Sequence, residues 1–213
     1  MSTLIKLVSR SSKKFWKVTD DKLMVYIVDA KFVRDNYSVE FTDSGSHFEF
    51  DFIPKNEIWV YRADCLDMES ALYYQLAYYR SKAQDFSESK SRHNAEEAVN
   101  DFYNKIRKDV PNKNPKLKLL KIIKVHDIDV KVYLVSGGVV RVHLYPDFIE
   151  GGNWKRYKFI PKDEIWIDNV VDPSEYDKEI DHEAYEAGKM LEGEGYDKAH
   201  NDALKNDRKG RHL

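Results

Sequence analysis

The chain has 213 residues, enough for one large domain or two small ones, with 42% apolar residues available for a core. Its formal charge of -2, from 35 cations mixed with 37 anions, argues against a generic polyanion binder, because such affinity comes from clustered Lys and Arg. The single cysteine, Cys65, excludes an intramolecular disulfide framework and a CxxC metal knuckle, and no run of eighteen apolar residues offers a membrane span.

In chain order, Met1 to Lys14 carries scattered cations and no apolar run of signal-peptide length. The expectation is a cytoplasmic protein, of a bacterium or of an infected host cell, with no membrane partner. Runs rich in β-branched and aromatic residues follow at Val25–Val28, Phe32–Arg34, Tyr37–Phe41, Phe48–Ile53 and Ile58–Tyr61. Turn chemistry at Asp43-Ser44-Gly45-Ser46 and Pro54-Lys55-Asn56 interrupts them, which predicts short strands in a small antiparallel meander. From Asp67 the pattern turns helical, with Leu72, Leu76, Tyr79 and Ala83 at helical spacing, a break at Phe86–Ser89, and a second helix bearing His93. The stretch Leu72–Tyr79 is apolar nearly all round, and such a helix is buried on every side. Tyr73, Tyr74, Tyr78 and Tyr79 are therefore candidates for an interface with a protein partner or a second copy. Ordinary core packing is the competing account.

Pro111-Asn112-Lys113-Asn114-Pro115 reads as a linker, since its prolines and asparagines stop a helix from running through. Lys116, Lys118, Lys121 and Lys124, interleaved with Leu117, Leu119, Leu120, Ile122 and Ile123, read as an edge strand protected by lysines, in preference to a nucleic-acid arm. The pattern of the first half then returns. Turns fall at Ser136-Gly137-Gly138, Glu150-Gly151-Gly152-Asn153 and Pro161-Lys162-Asp163, and Asp172-Pro173-Ser174-Glu175 starts a helix. That helix carries Tyr176, Ile180, Ala184, Ala187 and Leu191 on one stripe. Gly193-Glu194-Gly195 breaks it, a helix with His200 follows, and Lys205–Leu213 reads as a frayed polar tail.

The return has a fixed period. Phe52-Ile53-Pro54-Lys55-Asn56-Glu57-Ile58-Trp59-Val60 recurs 107 residues later as Phe159-Ile160-Pro161-Lys162-Asp163-Glu164-Ile165-Trp166-Ile167. At that offset, positions 17–60 hold roughly 17 identities in about 44, where chance supplies about two or three. A tandem duplication is the reading. The expected architecture is α+β, two tandem copies of a small antiparallel β-meander followed by a helical hairpin. Copy one spans 1–107, the linker 108–116 and copy two 117–213.

Copy two carries the one chemically suggestive constellation, His182-Glu183-Ala184-Tyr185-Glu186, with His200 beyond the turn. Residues four apart share a helix face, so His182 and Glu186 could ligate one metal ion, with His200 as a third ligand and Glu183 as general base. This is HExxH logic with the second histidine replaced by glutamate. Zinc is the cofactor it would take. The competing account is a solvated face, because His182 and Glu186 lie opposite the apolar stripe. Copy one has Gln75, Leu76 and Tyr79 at the equivalent positions but keeps His93, which favours a structural role for that histidine.

The string at 159–167, together with His182-Glu183, Glu186, Met190, Gly193, Tyr196 and Ala199-His200, resembles a poorly characterised module of phages and prokaryotes. In that family a strand region ending in IPKxEIW precedes a helix of HELxE type and then YxxAH. The resemblance covers most of copy two and the strand half of copy one, and implies only that His182, Glu183, Glu186 and His200 match the family's polar pattern. The leading expectation is a non-enzymatic phage or prokaryotic accessory protein, cytoplasmic or virion-associated, presenting a protein-interaction surface from two duplicated modules. The alternative is a zinc-dependent hydrolase using copy two alone. Nucleic-acid binding through the 113–124 lysines ranks third.

Overall fold

The computed structural model describes residues 13–63 and 65–211, so most of the N-terminal stretch inspected for a signal peptide lies outside the described residues. The protein is α+β, and it divides between Ile106 and Arg107 into two compact units. No helix among the described residues is long and apolar enough to cross a membrane.

Unit 1 runs β1 (Lys13–Val18), β2 (Met24–Val28), α1 (Ala30–Asn36), β3 (Ser44–Ser46), β4 (Glu57–Tyr61), α2 (Cys65–Ala83) and α3 (Glu88–Ile106). Unit 2 runs β5 (Lys116–Val125), β6 (Ile128–Val135), α4 (Gly137–His143), β7 (Gly151–Asn153), β8 (Glu164–Asp168), α5 (Tyr176–Leu191) and α6 (Tyr196–Arg211). The strand orders are β1-β2-β4-β3 and β5-β6-β8-β7. Registers match at the offset of 107: Val25 pairs with Ile58 and Tyr26 with Trp59, as Val132 pairs with Ile165 and Tyr133 with Trp166.

The helical hairpin stands where the pattern put it, but the sheet is not a meander. Its first and last pairs are antiparallel, whereas β2 with β4, and β6 with β8, run parallel. A parallel pair needs a crossover, and α1 supplies part of it. The sequence reading had a strand at Phe32–Arg34. Asp29 instead caps a helix there, its carboxylate accepting from Phe32 N at 3.1 Å. Tyr37–Phe41 and Phe48–Ile53 form turns and loops, not strands. Their rings fill a core: Tyr37, Phe50 and Phe52 pack with Val28, Val33, Phe41, Ile53 and Trp59. Aromatic residues mimic strand propensity because both roles favour large, stiff side chains.

The last strand of each unit in chain order lies inside its sheet and is buried on both faces. In β8, Ile165 and Ile167 pack with Ile180 of α5, and the alternate residue Trp166 packs with Val140, Phe148 and Ile160. The preceding turn aims Glu164 back along the strand, where its carboxylate accepts from Trp166 Nε1 (2.8 Å) and Lys116 Nζ (2.7 Å). Glu57 does the same with Trp59 Nε1 (2.7 Å) and Lys13. The shared Glu-Ile-Trp string thus reports a buried tryptophan tethered by its own strand's acid. β5 lies at the sheet edge with Leu117, Leu119 and Ile122 exposed.

Candidate metal centre

α5 packs on β7 and β8, and α6 packs on α5. Ala199 and Ala203 are buried at the α5–α6 contact, and side chains this small let the two helices lie close. His182 and Glu186, one turn apart on α5, therefore face α6 instead of water. Glu186 is 2% exposed and Glu183 8%, so the solvated-face account does not hold. Gly188, unusual inside a helix, has His126 against it: an added Cβ would sit 3.2 Å from His126 Nε2.

His182, Glu186 and His200 converge. His182 Nε2 lies 3.2 Å from His200 Nδ1, His200 Nδ1 lies 3.1 Å from Glu186 Oε2, and His182 Nε2 lies 3.9 Å from the same oxygen. Donors held tetrahedrally at zinc distances of about 2.0–2.1 Å stand roughly 3.3 Å apart. The triangle is close to that size. Behind it, His182 Nδ1 donates to Asp207 Oδ2 at 2.7 Å, which leaves the Nε2 lone pair aimed at the triangle when the ring is neutral. A histidine oriented by a carboxylate in this way is the usual support of a metal ligand.

The two glutamates share one further partner. Asn153 Nδ2 donates to Glu183 Oε2 and to Glu186 Oε1, both at 2.8 Å, and is fully buried on β7. Its Oδ1 accepts from the backbone of Lys155 (2.9 Å) and Arg156 (3.1 Å), which fixes the amide's orientation. Gly151 on the same strand leaves room for Glu183, since a Cβ there would lie 3.4 Å from the glutamate's Cγ and 3.3 Å from the Trp166 carbonyl.

The charges are strongly coupled. Burial raises the Glu183 carboxyl, the neighbouring Glu186 raises it further, and the result is about 8 despite His182 and the Asn153 hydrogen bond. Burial alone would lower His182, but the hydrogen bond to Asp207 and the charges of Glu183, Asp207 and Glu179 raise it to about 9. Without a metal, protons on the rings can bridge these contacts, as when His182 Nε2 donates to His200 Nδ1. When His182 carries its proton on Nδ1 alone and His200 carries its proton on Nε2, two lone pairs and a carboxylate oxygen face one another. That tautomeric form is the one a cation at the centre would select, because all three atoms then act as donors of lone pairs.

Sequence reasoning named His182, Glu183, Glu186 and His200, and these lie together. It missed Asn153, which it read as part of a glycine turn, and Asp207, which it placed in a frayed tail although α6 continues to Arg211. A signal for Asp207 was present: it falls seven residues after His200, two turns along the same face.

In unit 1, Gln75 is buried and donates to Glu49 Oε2 at 2.7 Å, while the His93 side chain is 57% exposed and stands 3.6 Å from Glu97. His93 is thus not the structural residue its retention suggested. Of the four tyrosines, Tyr78 is buried within unit 1, its hydroxyl donating to Glu88 Oε2 (2.8 Å). Tyr79 donates to the Lys55 carbonyl (3.2 Å), Tyr74 stacks on Tyr78, and Tyr73 is 45% exposed and stacked on Phe102. α2 is therefore not buried all round.

A scan of protein-family models, a search of curated proteins and a search of solved structures each found no match.

Proposed function

We infer that unit 2 is a zinc-binding hydrolytic centre, with His182, Glu186 and His200 as ligands and Glu183 as general base. The observation that carries this reading is the convergence of three lone-pair atoms backed by Asp207. Bound zinc would act as a Lewis acid toward water and the bond to be cut. The chain's own part is to hold and move the proton. As water's oxygen bonds to the electrophilic atom, Glu183 accepts the water proton and passes it to the leaving atom as that bond breaks. Glu183 is buried against Asn153, so a neighbouring cation would be needed to draw its carboxyl down into the ionised form.

Elemental analysis of the purified protein tests the ligands. About one zinc per chain is expected, lost in His182→Ala and in His200→Ala and unaffected by His93→Ala. Carefully prepared protein that takes up no zinc overturns the reading. Turnover of chromogenic ester, peptide and phosphate substrates tests the base: Glu183→Gln should keep zinc and lose about 10²–10⁴ in kcat.

A second reading concerns unit 1, as an accessory or assembly module of a phage or prokaryotic protein, derived by duplication and relieved of chemistry. The equal element order and register of the two units support the duplication. The exposed Tyr73 ring stacked on Phe102 at 4.9 Å supports a protein-binding surface.

A further inference from the structure

Beside the candidate metal centre stands Arg156, which has no ion-pair partner among the described residues, although its charge helps hold the Glu183 carboxyl down. Arg156 follows β7 in the turn whose backbone is held by Asn153 Oδ1. Its guanidinium carbon lies 3.9 Å over the Tyr196 ring and 5.3 Å from the Tyr157 ring. Tyr196 in turn stacks on His200, with ring centres 5.4 Å apart and planes within 21°. Tyr196 thus touches both the guanidinium and one of the proposed metal ligands. Among the described residues no carboxylate oxygen comes within ion-pair distance of Arg156, whereas Arg80, Arg92 and Arg141 are each paired with an acid. The residue is exposed, yet two rings hold its head in place, so little side-chain freedom remains to be lost on binding.

The offset of 107 gives an internal comparison. Where unit 2 has Arg156, unit 1 has Glu49, half-buried and accepting from Gln75. The sign reverses in the unit that lacks the ligand set. A cation kept for surface solubility would have no reason to disappear together with the ligands.

We propose that Arg156, pinned on Tyr196, binds an oxyanion of the substrate, a carboxylate or a phosphate close to the bond that is hydrolysed. The planar fork of Arg suits either group through two parallel N–H donors. This assignment rests on the metal reading above and adds to it the substrate class: anionic molecules, with the negative group on the Arg156 side of His200. The buried acids Glu183 and Glu186 would repel an anion placed against them, which leaves the guanidinium as the point where the negative group is held.

The test uses the full chain loaded with cobalt(II), whose visible spectrum reports on its ligands. Inorganic phosphate and N-acetylglycine are titrated separately. At least one should perturb the spectrum with a midpoint in the millimolar range, and the tighter of the two identifies the group. Arg156→Gln should raise that midpoint at least tenfold at unchanged cobalt affinity and unchanged melting temperature, and Arg156→Lys should fall between. Normal cobalt uptake with the same midpoint in Arg156→Gln, or with no spectral response to either anion, overturns the oxyanion site and leaves the metal site standing. Failure to take up cobalt at all overturns both.

Discussion

The two helical hairpins share a backbone plan and differ in almost every polar side chain that faces their sheets. Unit 2 buries Glu183, Glu186 and Asn153 beneath His182, whereas unit 1 has Leu76, Tyr79, Ser46 and Gln75 at the same offsets. The apolar frame is unchanged: Ile58, Trp59 and Val60 in one unit and Ile165, Trp166 and Ile167 in the other are all buried. Unit 1 shows that this fold needs neither the two acids nor the imidazole of His182. Burying two carboxylates against one amide disfavours the folded state, so their presence in unit 2 points to a role outside folding.

The largest effect that would break this comparison lies at Asn153. Asn153→Ala leaves two buried carboxylates without their common donor, and should destabilise metal-free unit 2 by about 2–3 kcal/mol, on the order of 10 °C in Tm. The matching change in unit 1, Ser46→Ala, removes a hydroxyl that has no protein partner among the described residues, and should shift Tm by no more than a few degrees. Calorimetry of both variants decides. Equal losses would mean that the two slots are not equivalent in the way drawn here.

The pH profile sharpens it next. Glu183 is raised from 4.5 to about 8 and His182 from 6.5 to about 9, so the folded state holds more protons than the unfolded chain. The sign follows: each contribution to stability is complete below the unfolded pKa and is lost as pH rises through the folded one. Metal-free protein should therefore lose stability steadily between pH 4.5 and 9. Glu183→Gln should flatten the part below 8 and raise Tm by several degrees at pH 8. Zinc should reverse the slope, because its ligands bind only when deprotonated. In unit 1, burial raises Glu49 from 4.5 to about 7, so Glu49→Gln should flatten a shorter stretch. Thermal melts across this range, with zinc and with chelator, give the answer.

The smallest effect concerns surfaces. Tyr73→Ser removes the outer member of the Tyr73–Phe102 stack and should leave Tm within about 1 °C, since nearly half of that residue is already exposed. If the ring is an interface residue, any dimer or complex formed by the wild-type chain should weaken about tenfold by analytical ultracentrifugation. Unchanged association would remove Tyr73 from the interface.

The helices of the hairpins were legible because their apolar residues recur at helical spacing, and β4 and β8 because nine consecutive residues repeat. The parallel pairing was not. A short helix such as α1 carries Phe32 and Val33, residues that equally suit a strand, and only the cap made by Asp29 distinguishes the two. The four polar residues of the candidate site were legible as a helical pattern with a histidine beyond the turn. Their supporting shell was not, since Asn153 and Asp207 come from a strand end and a helix end whose approach depends on tertiary packing. Arg156 had no sequence signal at all, because an unpaired cation is recognised only when its surroundings are known.

The amide that joins the two glutamates to the sheet sits at the end of β7, a strand of three residues at the outer margin, with β8 as its single strand partner. Two of those three residues are glycines, held in place by the Tyr157 ring that a Cβ on Gly152 would strike at 2.6 Å. The order of the site is therefore no more durable than this narrow seam. Were the margin to peel from β8, both acids would lose their tether together.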